Sequence, residues 1–377
     1  MNPVDLLRLA EAQLPWIEQH LRILVEQESP TEDKASVDRA SDLVATWAAT
    51  LGGTPKWYKQ GYFGDILELS FGPDPDILVL GHLDTVWPLS SLKTMPWTTS
   101  EGCLRGPGVL DMKAGVVMCL LAAKLLKESH LRASFRLLLN SDEEVGSPVS
   151  RGITEELAKR SRAVFVLEPA QGLAYKTARS GVGHYIVEVT GVASHSGVDF
   201  ESGHSAIREL ARLVETISNT TDLCKKRTVN CGVIAGGTRA NVVPGYARCE
   251  IDVRTATAED AVAVDTLLRS LKPSDPACFV TVTGGTNRPP MGRSEGTAEL
   301  FKRAQRLAAE MGFELEEAAS GGGSDGNFTA ALGIPTLDGM GAVGGGAHAV
   351  HEHVRIEHLA PRTALLAAMI ASVSRSS

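Results

Sequence analysis

Four segments of this chain carry imidazole and carboxylate side chains at spacings that suit metal-assisted hydrolysis. His82 and Asp84 stand two residues apart in Gly81-His82-Leu83-Asp84-Thr85-Val86, and Asp111 lies in Gly106-Pro107-Gly108-Val109-Leu110-Asp111-Met112-Lys113-Ala114-Gly115. Glu143 and Glu144 are adjacent, and Glu168 precedes Pro169. Carboxylates that converge without a cation repel one another, so a bound metal is the economical way to bring them together. Imidazole mixed with carboxylate fits zinc, and cobalt or manganese accepts the same donors. There are more carboxylates than one ion needs, which points to two ions sharing a carboxylate, ~3.5–4 Å apart in such sites. Asp84 is spaced to accept the second N–H of His82 and fix its tautomer. Glu143 and Glu144 suit unequal roles, one binding metal and the other taking a proton from water. The segment Gly344-Gly345-Gly346-Ala347-His348-Ala349-Val350-His351-Glu352-His353 adds three more imidazoles. The helical H-E-x-x-H arrangement is absent, because Arg355 occupies its last position.

Taken singly, each pattern is explained as well by a structural hydrogen bond, a solvated helix start or a surface histidine. Their places in the chain change that balance. Ile77-Leu78-Val79-Leu80 is a continuous apolar run, as in a strand buried on both faces, and His82 follows it. Strand patterns at 135–139 and 163–167 precede the Glu143–Glu144 pair and Glu168, and helical patterns at 36–51, 114–127 and 153–160 alternate with the strands. That alternation predicts an α/β fold with a mostly parallel sheet. Sites in such sheets form beyond the carboxyl ends of the strands, which is where all four segments fall.

The grammar then changes. Strand patterns at 183–189, 229–234, 248–253 and 278–282, with helices at 205–218 and 259–271, predict a smaller α+β insertion of ferredoxin-like pattern. After Arg288-Pro289-Pro290 the earlier style returns, with a helix at 297–311, a glycine-rich loop at 321–323, a strand at 335–337 and a last helix from Ile356. Domain boundaries at 1–179 and 288–377 for the outer domain and 180–287 for the insertion follow.

Composition agrees with a globular protein. The 377 residues are 43% hydrophobic and 22% charged, with a net charge of −8, and exceed one ordinary core. No basic cluster suits nucleic acid, and no apolar run is long enough to cross a bilayer. The first thirty residues lack the pattern of a secretory signal. The six cysteines, Cys103, Cys119, Cys224, Cys231, Cys249 and Cys278, are scattered without C-x-x-C, so reduced thiols and a cytoplasmic location are expected.

Over nearly its whole length the chain resembles the dinuclear zinc exopeptidases and deacylases of the glutamate carboxypeptidase, acetylornithine deacetylase and succinyl-diaminopimelate desuccinylase group. The resemblance rests on GHLDTV (81–86), GPGVLDMKAG (106–115), NSDEEVGS (140–147), LEP (167–169), GVASHSG (191–197), GGTRANVVP (236–244), NRPPM (287–291), GGGSDGNF (321–328) and GGGAHAVHEHV (344–354). It looks most like the glutamate carboxypeptidase branch. The resemblance implies a zinc-exopeptidase-like catalytic domain and a lid and dimerisation domain. It implies two zinc ions per subunit held by His82, Asp111, Glu144, Glu168 and His348, with Asp111 bridging. Glu143 would be the general base and Asp84 the partner of His82. His348 is preferred because it stands four residues before Glu352. His351, where the family has an acidic or other polar residue, departs from the pattern and is the rival. In the inserted domain His195 would contact the reacting carbonyl, Asn241 would assist, and Arg288 would take the substrate's terminal carboxylate, with Gly322 also in the substrate site. The Asp111–Met112 peptide would be cis.

The activity implied is hydrolysis of an amide that releases an amino acid with a free α-carboxylate, from a small N-acyl amino acid or peptide, in a homodimer. N-acyl-amino-acid deacylation is the near alternative, and a non-catalytic metal-binding or scaffold protein is the distant one. Lys176 and Arg179 suit an acidic substrate side chain, or equally a solvated strand.

Overall fold

The apolar run that opens the first motif becomes the strand Ile77–His82, buried at every position. The computed structural model describes residues 2–131 and 133–374. Its backbone divides into two units, the second being Arg179–Gly292 with Gly321–Gly323 and the first the remaining described chain.

In the first unit Ile77–His82 is inner to a six-stranded sheet of order Thr54–Tyr58, Ile66–Phe71, Phe135–Asn140, Ile77–His82, Ala163–Val166, Thr336–Leu337. The last four run parallel, and Ile66–Phe71 pairs antiparallel with its neighbours on both sides. Alternate residues feed two apolar layers, as the pleat requires. Ile77 and Val79 join the larger core with the helices Ala114–Glu128 and Leu359–Val373, while Leu78 and Leu80 face the helix Arg151–Lys159. Both large-core helices are apolar nearly all round, the composition of helices sealed inside a fold.

Register aligns the strand ends that matter. His82 lies opposite Asn140, and Leu80 opposite Val166. The segments after these three strands therefore leave the sheet at one edge. Gly115, at the start of the helix Ala114–Glu128, lets that helix approach the third strand end, since a Cβ there would lie 2.4 Å from the Leu167 carbonyl oxygen.

The sequence pattern gives nothing before residue 36, yet two helices, Pro3–Ala12 and Leu14–Glu26, precede it. Pro15, in the first turn of the second, interrupts the helical period, so neither reads clearly. The strands Thr54–Tyr58 and Ile66–Phe71 likewise have no counterpart in the sequence pattern.

The second unit is a four-stranded antiparallel sheet of order Thr228–Gly236, Tyr246–Thr255, Gly181–Thr190, Phe279–Arg288. The helices Ala206–Ser218 and Ala258–Arg269 cover one face, packing Leu210, Ile217, Val264 and Leu268 on Val187, Cys249 and Ile251. Chain order and sheet order together give the ferredoxin-like β-α-β-β-α-β arrangement. All six cysteines are free. Among the described residues no helix is long and apolar enough to cross a membrane.

Candidate metal centre

The centre lies within the first unit, beyond the carboxyl ends of its parallel strands. His82 ends a fully buried strand, and its Nδ1 donates to the Asp84 carbonyl oxygen at 2.9 Å. That bond leaves Nε2 as the metal-facing nitrogen. The expected acceptor was the Asp84 carboxylate, whose nearer oxygen stands at 3.5 Å. A spacing of two residues brings the backbone carbonyl closer than the side chain. The Asp84 carboxylate instead takes the Thr31 hydroxyl at 2.9 Å and the amides of Glu143 and Glu144 at 3.3 and 3.2 Å. It thus holds the turn that carries both glutamates.

Asp111 sits between two imidazoles. Its Oδ1 is 3.3 Å from His82 Nε2, and its Oδ2 is 3.2 Å from His348 Nε2. Glu168 Oε1 approaches the same nitrogen of His82 at 3.7 Å, and Glu144 Oε2 approaches that of His348 at 3.3 Å. A carboxylate presenting one oxygen to each of two donor sets has the geometry of a bridge. Glu143 is also at hand: ligand atoms of His82, Glu143 and Glu168 lie within 4.8 Å of one another, as do those of His82, Asp111 and Glu144. Of the imidazoles on the C-terminal loop, His348 reaches Asp111 and Glu144, while His351 is exposed and its backbone oxygen accepts from His353 Nδ1. The Asp111–Met112 peptide is cis.

The electrostatics describe a pocket that attracts positive charge. Asp111 and Glu144 bracket His348 and push its pKa up to about 10. Burial opposes charge on His82, but Asp111, Asp84 and Glu168 outweigh it and raise its pKa well above the usual range. Burial would raise Asp111, yet His348 and His82 bring it well below the ordinary carboxylate range. Glu144 is raised by burial despite His348. His82 Nε2, Asp111 Oδ1 and Glu144 Oε1 are buried without a hydrogen-bond partner. Buried polar atoms left unpaired are costly, and here three point into one cluster of metal-ligating types. The residues present fit divalent cations.

The second unit brings together other residues singled out in the sequence. His195 and Asn241 meet where Ser194–His195 pairs with Val242–Val243, and Ser196 N donates to Asn241 O at 3.0 Å. His195 is exposed, and its Nδ1 accepts from the amides of Gly197 and Val198, each at 3.2 Å. The ring hydrogen is thereby placed on Nε2. Arg288 is buried beside Gly323, where a Cβ would lie 2.8 Å from its Cδ, and Arg179 donates to the Gly322 and Gly323 carbonyls at 3.2 and 3.1 Å. Lys176 is buried in the first unit, not solvated.

Two residues escaped the sequence reading. Thr31 carries no motif. Lys113 lies within one that gives it no role, yet it is buried, donates to Gln27 O at 2.8 Å, and is pushed by burial down to about 7 against the pull of Glu352 and Glu28.

A parallel-sheet domain whose strand ends converge on a cluster of imidazoles and carboxylates that could hold metal suits a metallohydrolase. The chain belongs to peptidase family M20/M25/M40, whose family model matches residues 78–372. It is 30% identical to carboxypeptidase G2 of Pseudomonas sp. (strain RS-16), over 97% of this chain and 91% of that protein. It is 28% identical to the succinyl-diaminopimelate desuccinylase of Stenotrophomonas maltophilia (strain R551-3), over 76% of this chain and 80% of the other. Its fold is shared with a Bacillus subtilis protein described as a dinuclear metal binding peptidase from the M20 family, with a TM-score of 0.72 at 15% identity, covering 96% of this chain and 99% of that one. The protein is thus an M20-family hydrolase of carboxypeptidase or deacylase type.

Proposed function

We propose that the protein is a zinc-dependent carboxypeptidase acting on small N-acyl amino acids or peptides, hydrolysing an amide to release a C-terminal amino acid. The observation that carries this reading is the Asp111 carboxylate, which offers one oxygen to the His82 side and one to the His348 side, with Glu143 alongside. Full-length likeness to a carboxypeptidase supports that reaction over deacylation of acetyl- or succinyl-amino acids, the second reading, which shorter matches favour.

His82, Glu168, Glu144 and His348 would hold two ions bridged by Asp111. The chemistry that bound divalent cations supply in such centres is Lewis acidity, by which water is acidified and a carbonyl polarised. Glu143 takes the proton of the attacking water and returns it to the departing nitrogen. Asp84, by accepting the Glu143 and Glu144 amides, keeps that base in place. His195 offers its Nε2–H to the developing oxyanion, a donor fixed in advance by the bonds to Nδ1. Arg288 pairs with the substrate's α-carboxylate through a planar fork that Lys lacks, with Asn241 and the Gly322 backbone beside the substrate.

Residues 180–287 serve in this proposal as a lid and as the contact of a homodimer. The edge strand Thr228–Gly236 supports pairing with a second copy, since Val233 and Ile234 on it are 49% and 61% exposed. Free thiols suit a cytoplasmic enzyme. Hydrolysis of a panel of N-acyl amino acids and dipeptides by zinc-loaded protein tests the activity. Release of the C-terminal amino acid, lost when that terminus is amidated, is expected, and no release from any member overturns it. Mixing His195→Ala with Glu143→Ala chains tests the dimer. Recovered activity is expected if His195 serves the partner's site, and none despite subunit exchange places its action within one chain.

A further inference from the structure

His348 needs help that His82 does not. It stands on a loop, in the left-handed region at φ 61°, with a side chain 52% exposed. Four residues on, Glu352 is 1% exposed and binds with both oxygens. Its Oε1 accepts from Leu110 N at 2.8 Å and Asp111 N at 3.1 Å, and its Oε2 from Gly108 N at 3.0 Å and Trp87 Nε1 at 2.8 Å. These are charge-assisted bonds of good length. Three of the four donors are amides of the segment that presents Asp111, and one is the amide of Asp111 itself.

The other end of the linkage is also tied down. Ala349 N donates to Gly346 O and Glu352 N to Ala349 O, each at 2.9 Å, which closes the loop that carries His348. The next residues, His353–Arg355, pair with Cys103–Arg105 on one side and with Gly344–Gly345 on the other. One buried carboxylate therefore clasps the Asp111 segment from a loop whose base is anchored in a sheet.

We propose that Glu352 is a positioning residue that sets the spacing of Asp111 and His348 and so the affinity of the ion those two share. The inference rests on the reading of the metal centre given above. Removing the carboxylate leaves buried amides unpaired, and a segment so placed shifts to find other acceptors. The ion between Asp111, Glu144 and His348 feels that shift most. An ion between His82 and Glu168 would be held by a residue that ends one strand of the buried sheet and a residue two beyond the end of another.

The test is calorimetric titration of metal-free protein with zinc, comparing wild type with Glu352→Gln, Glu352→Asp and Trp87→Phe. Glu68→Gln is the control for general loss of stability, because Glu68 is a buried carboxylate bonded to Tyr58 and Arg136. Glu352→Gln is expected to bind the ion on the His348 side about 10–100-fold more weakly, the usual effect of losing a residue that orients a ligand, and the ion on the His82 side with a smaller loss. Glu352→Asp recovers part of that loss, Trp87→Phe gives a smaller weakening of the same ion, and Glu68→Gln changes neither. Combined with His348→Ala, Glu352→Gln adds nothing further, which assigns the effect to the His348 side. Two ions bound by wild type and bound equally well by Glu352→Gln overturn the positioning role alone, whereas no ion bound by wild type overturns the reading beneath it. Should Glu352→Gln fail to fold, an unchanged Trp87→Phe titration overturns the proposal.

Discussion

His82 and His348 face opposite oxygens of one carboxylate and reach it by opposite means. His82 is the last residue of a strand buried throughout, a strand flanked by parallel neighbours on either side and paired at His82 itself with Asn140. His348 hangs from a partly exposed loop whose geometry depends on a carboxylate bonded to a segment 242 residues away in sequence. One half of the centre is built by local pattern and sheet register, the other by tertiary hydrogen bonds. The first half is rigid because the core is rigid, and the second is only as firm as its clasp.

The sharpest test of that contrast begins with the turn that serves both halves. Glu143→Ala should lower kcat about 10²–10⁴-fold, the range for loss of a general base, while both ions remain bound. Glu144→Ala should release the ion on the His348 side. Metal analysis beside steady-state kinetics checks both, and reversed phenotypes would mean the two glutamates are exchanged. Next come the imidazoles themselves. His348→Ala should bind one ion and keep wild-type thermal stability when metal-free. His82→Ala should lose the other ion and melt earlier, because it empties space inside a packed sheet edge. Equal melting temperatures for the two metal-free variants would erase the distinction. The smallest effect belongs to Thr31→Val, which removes the hydroxyl on Asp84 at nearly constant volume. A decrease in kcat of no more than about tenfold with unchanged metal content is expected, in keeping with one lost hydrogen bond of about 0.5–1.5 kcal/mol.

The same contrast explains what the sequence made legible. Ile77–His82 stood out because four apolar residues in a row mark a strand sealed on both faces, and the residues that follow such strands gather at one edge. The antiparallel order of the inserted unit was written in period-two alternation along Gly181–Thr190 and Tyr246–Thr255. The partners of Asp84 and the grip of Glu352 left no such trace. Both join segments far apart in the chain through backbone amides, which every residue carries, so no spacing or residue type announces them. Between His348 and His351, three residues apart on one loop, only the resemblance chose, through the four-residue spacing of His348 from Glu352. The structure places the His348 ring 3.2 Å from Asp111 and 3.3 Å from Glu144.

The central claim is that one carboxylate joins two cation sites. Elemental analysis of the purified, zinc-saturated protein, followed by activity in chelator and after zinc is restored, tests it most directly. Two ions per chain, activity abolished by chelation and activity regained with zinc are the expected results. Protein that carries no metal and loses no activity in chelator would contradict the account.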